Sequence, residues 1–292
     1  MVNIQWYPGH MDKARRDMQK NLKAVDMIVE VRDARIPMAS ANPILDQMAN
    51  GKPRLIILSK ADLADPIETE KWIQFFLKED QMALALDLVN DKSSRNKAIQ
   101  ACHTLTEKKR QRMIDRGIKP RAMRAMACGI PNAGKSTFIN RIAKKTIAKT
   151  ADKPGVTRSL AWIKADKTLD LMDTPGVLWP KFEDQNVGLL LAETGAINDN
   201  IIDSIEISID AIERIQTLYP GSLEEEFEAS GTPRMILEGI ARKRNLVKGN
   251  DEPDLLRAAN MFLKEFRKGK YGLITLEQVE QYEEAQNGEE GK

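Results

Sequence analysis

"GIPNAGKS", Gly129 to Ser136, decides the fold. It fits GxxxxGKS/T, ends the apolar run Arg124–Cys128 and opens the helical stretch "TFINRIAKK". Its glycines let backbone N–H groups turn toward phosphate oxygens, its lysine supplies charge at the β- and γ-phosphates, and its serine hydroxyl can ligate magnesium. Asn132, Ala133, Gly134, Lys135, Ser136 and Thr137 are therefore candidate nucleotide binders, with Lys135 also catalytic and Ser136 also a metal ligand. A strand, a phosphate loop and a helix in this order belong to an α/β layer architecture.

Two further segments extend the site. "DTPG", Asp173 to Gly176, follows the apolar "LDLM" and begins 37 residues after Ser136. Asp173 is placed to support magnesium, and the Gly176 N–H to face a γ-phosphate. Between them, Thr157 in the polar loop "KPGVTRS" can complete the metal sphere when γ-phosphate is present, which makes it both a metal and a catalytic candidate. Alone, DxxG is a common turn and a loop threonine carries no information; their place after the phosphate loop gives them meaning.

"LSKAD", Leu58 to Asp62, ends another apolar run. A carboxylate at Asp62 can accept hydrogen bonds from guanine N1–H and the 2-amino group, a pattern adenine cannot offer. Lys60 would lay its stem along the purine and bridge to the phosphate loop. Ser59 stands where Asn or Thr is usual and is shorter, so weaker contacts to that loop are expected. "LALDLVN", Leu84 to Asn90, occupies the place of a second base-contacting loop; there Asp87 and Leu88 replace the expected Ser-Ala-like pair, leaving backbone N–H groups to reach guanine O6.

The remaining chain supports a large folded protein. Among 292 residues, 42% hydrophobic content can build real cores. Two cysteines without CxxC and two histidines argue against a disulfide framework or zinc site. Neither a signal peptide nor a membrane-length apolar run is evident, so a cytoplasmic protein without a membrane partner is expected. Buried parallel strands are expected at Met27–Val31, Leu55–Leu58, Met82–Leu88, Arg124–Cys128 and Leu169–Met172, with helices over Asp12–Val25 and Ile67–Leu77. Beyond "VLWPKFED", Val177 to Asp184, the pattern turns helical. Ile205, Ile209, Ile212, Ile215 and Leu218 recur at helical spacing, Thr232-Pro233 reads as an N-cap and first helical residue, and a long helix is expected over Asp251–Tyr271 with Leu255, Leu256, Ala259, Phe262, Leu263 and Phe266 inward.

Net charge is only +2, but its distribution is uneven: residues 107–124 hold eight basic against two acidic side chains, and residues 234–270 hold ten against five. Either run can be a solvated helix face; together they favour a phosphate-rich partner. The last sixteen residues hold six glutamates and read as a solvated tail.

Read in order, the chain runs base reader, second base loop, phosphate loop, switch loop and DTPG, which is G4-G5-G1-G2-G3. That is a circular permutation of a P-loop GTPase domain, followed by an all-α helical domain. The sequence here resembles the circularly permuted GTPases of the YlqF/RbgA family, assembly factors of the large ribosomal subunit. The residues that carry the resemblance are "WYPGHMDKARR" at Trp6–Arg16, "DARIP" at Asp33–Pro37, "NP" at Asn42-Pro43, "SKAD", "GIPNAGKST", "KPGVTRS" and the DTPG segment. The expected organisation is a GTP-binding domain over 1–180, a helical ribosome-binding domain over 181–280 and an acidic, disordered tail over 281–292.

The resemblance implies GTP hydrolysis to GDP with Mg2+, and as partner a large-subunit precursor with its rRNA and ribosomal proteins, the protein being a monomer off the ribosome. It places rRNA contact on the helical domain, consistent with Arg242, Lys243, Arg244, Arg257, Lys264, Arg267 and Lys268. Many GTPases orient the attacking water with a glutamine just after DxxG, but here that residue is Val177. The resemblance implies a catalytic histidine at His10; the residues alone equally allow a helix-capping or RNA-contacting role. Asn132 likewise has two readings, a ligand of K+ or a loop residue tolerant of unusual backbone angles. A GTP-gated rRNA-binding module with incidental hydrolysis and another P-loop NTPase are the alternative functions.

Overall fold

The computed structural model describes residues 9–49, 51–144 and 161–290. In chain order the first half gives α1 (Gly9–Asn21), β1 (Met27–Asp33), α2 (Pro43–Ala49), β2 (Arg54–Ser59), α3 (Pro66–Lys78), β3 (Met82–Leu86), α4 (Ser94–Asp115), β4 (Met123–Gly129) and α5 (Lys135–Ala143). After it come β5 (Ala161–Lys164) and β6 (Leu169–Asp173), then the helices α6 (Gln185–Glu193), α7 (Ser204–Leu218), α8 (Ser222–Phe227), α9 (Pro233–Lys243), α10 (Leu255–Phe266) and α11 (Val279–Glu290).

The strands form one sheet in the order β3-β2-β1-β4-β6-β5, parallel except for the β5–β6 pair. The chain steps outward from β1 through β2 to β3, then returns to place β4 on the other side of β1. This reversal opens a crevice at the carboxyl ends of β1 and β4, the usual ligand position in such sheets. All five expected strands are present, each shifted at its ends by no more than two residues. β5 lay outside the expectation.

Alternation along the strands sends side chains to two differently covered faces. Val29, Val31, Leu55, Ile57, Ala125 and Ala127 face a core closed by α4 and α5, through Ala98, Cys102, Phe138 and Ile142. Ile28, Met126, Cys128 and Met172 face the other way, into a core containing Met11, Ala14 and Met18 of α1 and Leu45 of α2. That core continues without interruption through Val177, Leu178 and Phe182 into the helical region, where Ile207, Ile212, Ile240, Ala259 and Phe262 are fully enclosed. Beside it, Ile56 and Leu58 pack under Trp72, Phe75 and Phe76 of α3.

Local chemistry sets the helix starts. The Asp65 carboxylate caps α3 by accepting from Ile67 and Glu68 N–H, with Pro66 as first helical residue. Thr232 caps α9 ahead of Pro233, as its sequence suggested. The last long helix is shorter than expected: Asp251 closes a separate 3-10 turn, α10 starts at Leu255, and Leu256 is 53% exposed while Ala258 is buried in its place. On α7 the inward stripe is centred on Ile207, Ala211, Ile212 and Ile215.

The acidic end departs most from its composition. Residues 279–290 are helical, and the segment before them is bound along the sheet-bearing half. Leu276 N–H donates to Arg35 O at 2.8 Å and Ile274 N–H to Leu63 O at 3.2 Å. The Glu277 carboxylate, 2% exposed, accepts from Met38 and Ala39 N–H, and Trp72 Nε1–H donates to Glu277 O at 3.0 Å. Glu280 and Glu283 pair with Lys71 and Lys78 of α3. Glu277, Glu280 and Glu283 thus meet specific donors, the first of them buried.

Candidate nucleotide-binding site

The phosphate loop leaves β4 under tight constraint. A Cβ on Gly129 would lie 2.5 Å from Val31 O, so only glycine lets the two strand ends run this close. Asn132 (φ 56°) and Gly134 (φ 85°) are left-handed, a conformation that turns successive N–H groups into an anion-binding concavity, and Gly134 leads directly into the N-terminus of α5. The Lys135 ammonium forms an ion pair with Asp173, both side chains being buried.

The Asp173 carboxylate and the Ser136 hydroxyl are hard oxygen donors. Among the described residues no cluster of three or more His, Cys, Asp or Glu could cage a metal unaided. This donor set fits magnesium, which takes one or two protein oxygens and fills its octahedron with phosphate and water.

DTPG is locked onto this loop. A Cβ on Gly176 would come within 2.9 Å of Pro131 N, and Thr174 Oγ1–H donates to Ala127 O at 2.8 Å. Val177, 2% exposed, donates its N–H to Gly129 O and accepts at its carbonyl from Asn42 Nδ2 at 2.6 Å. An apolar, enclosed side chain here cannot orient water. On the opposite side, Asn132 Nδ2–H donates to Gly195 O at 2.7 Å, tying the phosphate loop to the turn after α6.

Ser59 joins the base reader to the phosphate loop. Its hydroxyl lies within hydrogen-bonding reach of both Ala133 O and Arg32 O, although Ala133 is 74 residues away in sequence. One hydroxyl proton serves one acceptor at a time, so the second is a polar contact. The shortness of serine is what the geometry requires: a Cβ on Gly134 would already stand 2.9 Å from Ser59 Oγ. The expected weakness at Ser59 is thus a close fit.

Lys60 is left-handed (φ 56°) and extends its ammonium to Asp33 Oδ2 at 2.7 Å, not across to the phosphate loop. Asp33, 2% exposed, also receives a two-pronged contact from Arg35, Nε to Oδ1 at 3.0 Å and Nη2 to Oδ2 at 2.8 Å. Burial alone would raise the Asp33 carboxyl, but the two cations overcome it and hold the group far below the usual carboxylate range. Burial also draws Lys60 below the ordinary lysine range, with Asp33 opposing it. Asp62 sits part-buried on the 3-10 turn Ala61–Leu63. Burial raises its carboxyl, its own backbone N–H opposes the shift, and the Asp87 charge adds to it. Two N–H donors from a guanine would relieve that cost.

In the second base loop Asp87 turns its carboxylate back onto Val89 and Asn90 N–H at 2.9 and 2.8 Å. Leu88 is buried, and its carbonyl accepts from Arg141 Nε at 2.7 Å. The Asp87 carboxylate and the Leu88 side chain are thereby both engaged within the protein.

His10 lies in the first turn of α1; its side chain and Thr157 lie outside the described residues. Sequence reasoning assigned no role to Asn42, Asp33, Arg35 or Arg141. "DARIP" and "NP" were visible as segments, but nothing in them says that Asp33 meets Lys60 or that Asn42 holds Val177. Arg141 carries no local signal at all.

Among known proteins, a family model described as 50S ribosome-binding GTPase matches residues 124–237. The chain is 44% identical over 284 residues to ribosome biogenesis GTPase A of Bacillus cereus, covering 96% of each. It is also similar to a solved GDP-bound YlqF (TM-score 0.67, 27% identity, 91% of this chain and 100% of that one). Against GNP-bound YlqF from T. maritima the TM-score is 0.66 at 26% identity, covering 91% of this chain and 98% of that one.

Proposed function

The chain belongs to the ribosome biogenesis GTPase A family, whose members hydrolyse GTP in ribosome assembly, and from that premise we propose how its residues divide the work. GTP lies across the carboxyl ends of β1 and β4, with guanine at Asp62 and the backbone of Asp87 and Leu88, and phosphates at residues 132–137. Mg2+ is held by Ser136 and Asp173, with Thr157 joining when γ-phosphate is present and Gly176 facing that phosphate. The ion supplies charge neutralisation at the phosphates. The observation that carries this reading is the contact of Ser59 Oγ with Ala133 O, which brings the base reader against the phosphate loop.

Lys135 is freed from Asp173 to meet the β- and γ-phosphates as nucleotide binds. Water is positioned by His10 as a neutral imidazole that orients it or accepts its proton, a role Val177 cannot fill. His10→Ala is expected to lower turnover by about 10²–10⁴-fold while GTP affinity stays within about twofold; unchanged turnover, with and without ribosomal particles, rejects the assignment. A potassium ion beside Asn132 belongs to the proposal only if turnover in potassium buffer exceeds that in sodium buffer.

The partner is a precursor of the large ribosomal subunit, met in the cytoplasm by a monomer. Nucleotide state reaches the helical region through two links, Val177 held by Asn42 and Gly195 held by Asn132. Co-sedimentation with large-subunit precursors is expected with a non-hydrolysable GTP analogue and to weaken with GDP. Equal binding in both states defeats the gating. Asp62→Ala should abolish preference for GTP over ATP, and retained preference would remove Asp62 from the base.

A further inference from the structure

α4 is a 22-residue helix whose two ends meet different surroundings. Its first half is anchored: Ser94 Oγ–H donates to Asp87 O at 2.8 Å, and Ala98, Ile99 and Cys102 enter the core under the sheet. From Glu107 onward, among the described residues, Met113 alone still packs against that core. Lys108, Arg110, Arg112, Arg116 and Lys119 are all exposed, and among the described residues none of the five takes part in an ion pair. Lys109 and Arg121 are the ones consumed internally, both on the buried Asp26 carboxylate.

Several basic residues of the helical region are already paired. Lys243 pairs with Glu228 at 3.1 Å, Arg244 with Glu265 at 3.3 Å, Lys270 with Glu265, and Arg267 with Asp199 at 2.8 Å while also donating to the carbonyls of Ala192 and Glu193. Arg267 is therefore a structural tie, not a free cation, and three of the seven residues expected at RNA, Lys243, Arg244 and Arg267, are already engaged.

The unpaired charge on α4 has an energetic cost. Lys108, Arg112 and Arg116 follow one another at four-residue spacing, where like charges repel by a few tenths of a kcal/mol per pair. The helix dipole compensates near the C-terminus, at Arg112 and Arg116, but not at Lys108, Arg110 or Lys119. Ile114 and Ile118 are also 44% and 51% exposed within the same segment. The location excludes the bound nucleotide as the counter-charge. Asp87 marks the guanine end, and the rise of an α-helix puts Arg116 on the order of 30 Å from it, at the opposite edge of the sheet.

We propose that this projecting end of α4, with Arg112, Arg116 and Lys119 at its centre, docks on the phosphate backbone of ribosomal RNA, on the sheet face opposite the helical region. This rests on the ribosome-assembly reading above. Guanidinium groups match phosphate oxygens in two-pronged geometry, and the two isoleucines lie against sugar faces between them. The surface is independent of nucleotide state, because among the described residues nothing at the projecting end touches the phosphate loop or DTPG; the gated contacts belong to the helical region.

The test is filter binding of the full chain to in vitro transcribed large-subunit rRNA at about 50 to 200 mM salt, a range over which phosphate contacts are read as a slope. In Arg112→Gln/Arg116→Gln/Lys119→Gln the log–log salt slope should become shallower by about three, one per lost contact. Affinity should fall tenfold or more at the low end of that range, equally with GDP and with a GTP analogue, while GTP turnover without ribosomes is unchanged. Arg257→Gln/Lys264→Gln/Lys268→Gln is the comparison. Wild-type affinity and slope in the α4 variant overturn the proposal. So does retained RNA binding with lost binding to phosphatidylglycerol vesicles, which would make the patch a membrane surface. Should the triple variant lose helix content, Arg116→Gln alone must shift the slope by about one. A nucleotide-independent loss here, beside intact GTP gating in co-sedimentation, separates this proposal from the functional reading it rests on.

Discussion

At the scale of single residues, Ser59 is the position where the sequence motif and the structure inform each other most. Its hydroxyl is enclosed between the Arg32 carbonyl at the end of β1 and the Ala133 carbonyl of the phosphate loop. Ser59→Ala leaves a buried carbonyl unpaired and should cost about 1–3 kcal/mol in denaturant unfolding. GTP and GDP affinity should fall together, because the contact joins base loop and phosphate loop in both states. Asp33 offers a pH test. Its folded carboxyl lies below the unfolded value near 4, so its contribution to stability is fully present above about pH 4 and is lost as pH falls below it. Urea midpoints measured from about pH 7 down to 3 should therefore drop more steeply for the wild type than for Asp33→Asn, which begins lower and flatter; parallel curves would mean that the Arg35–Lys60 clamp contributes nothing. Asp62, Lys135, Ser136 and Asp173 stood out in the sequence because guanine, phosphate and magnesium each demand particular atoms. The clamp was not, since a pairing of residues 27 positions apart depends on which strands adjoin.

At the scale of elements, the readable ones were those with a pure period or a firm cap: the buried parallel strands, α3 behind Asp65-Pro66, and α9 behind Thr232-Pro233. β5 escaped because it is a four-residue antiparallel edge strand with only Ile163 turned inward. α4 escaped as an element, its basic second half being noted only as a candidate solvated helix face, because so charged a stretch shows little apolar stripe to read. The acidic end misled through composition: six glutamates suggest a solvated tail until Glu277 is seen capping two buried N–H groups. Glu277→Ala strands those donors and should lower unfolding free energy by about 2–4 kcal/mol. Glu277→Gln keeps an acceptor and should lose less than half as much. Equal losses in the two variants would show that packing, not the carboxylate's acceptor role, holds the segment down.

At the scale of the molecule, motif order alone revealed the permutation, because the distance between "SKAD" and "GIPNAGKS" has the wrong sign for an unpermuted chain. The shared core from Met126 through Phe182 to Phe262 was not legible. Sequence showed two regions, whereas packing makes them continuous. Asn42, which holds the Val177 carbonyl where the two regions meet, should matter to their communication more than to ligand affinity. In Asn42→Ala the ratio of precursor affinities between GTP-analogue and GDP states should shrink severalfold while the change in GTP affinity is smaller. A full ratio would relocate the coupling to the Asn132–Gly195 link.

The segment from Ile274 to Glu277 fastens the loop that carries Asp62 and the turn that carries Arg35. In the order of synthesis, the base reader emerges from the ribosome well before its fastening. A nascent chain would thus carry every motif for GTP well before it holds the guanine loop in place, and the base reader would be the last part of the site to set.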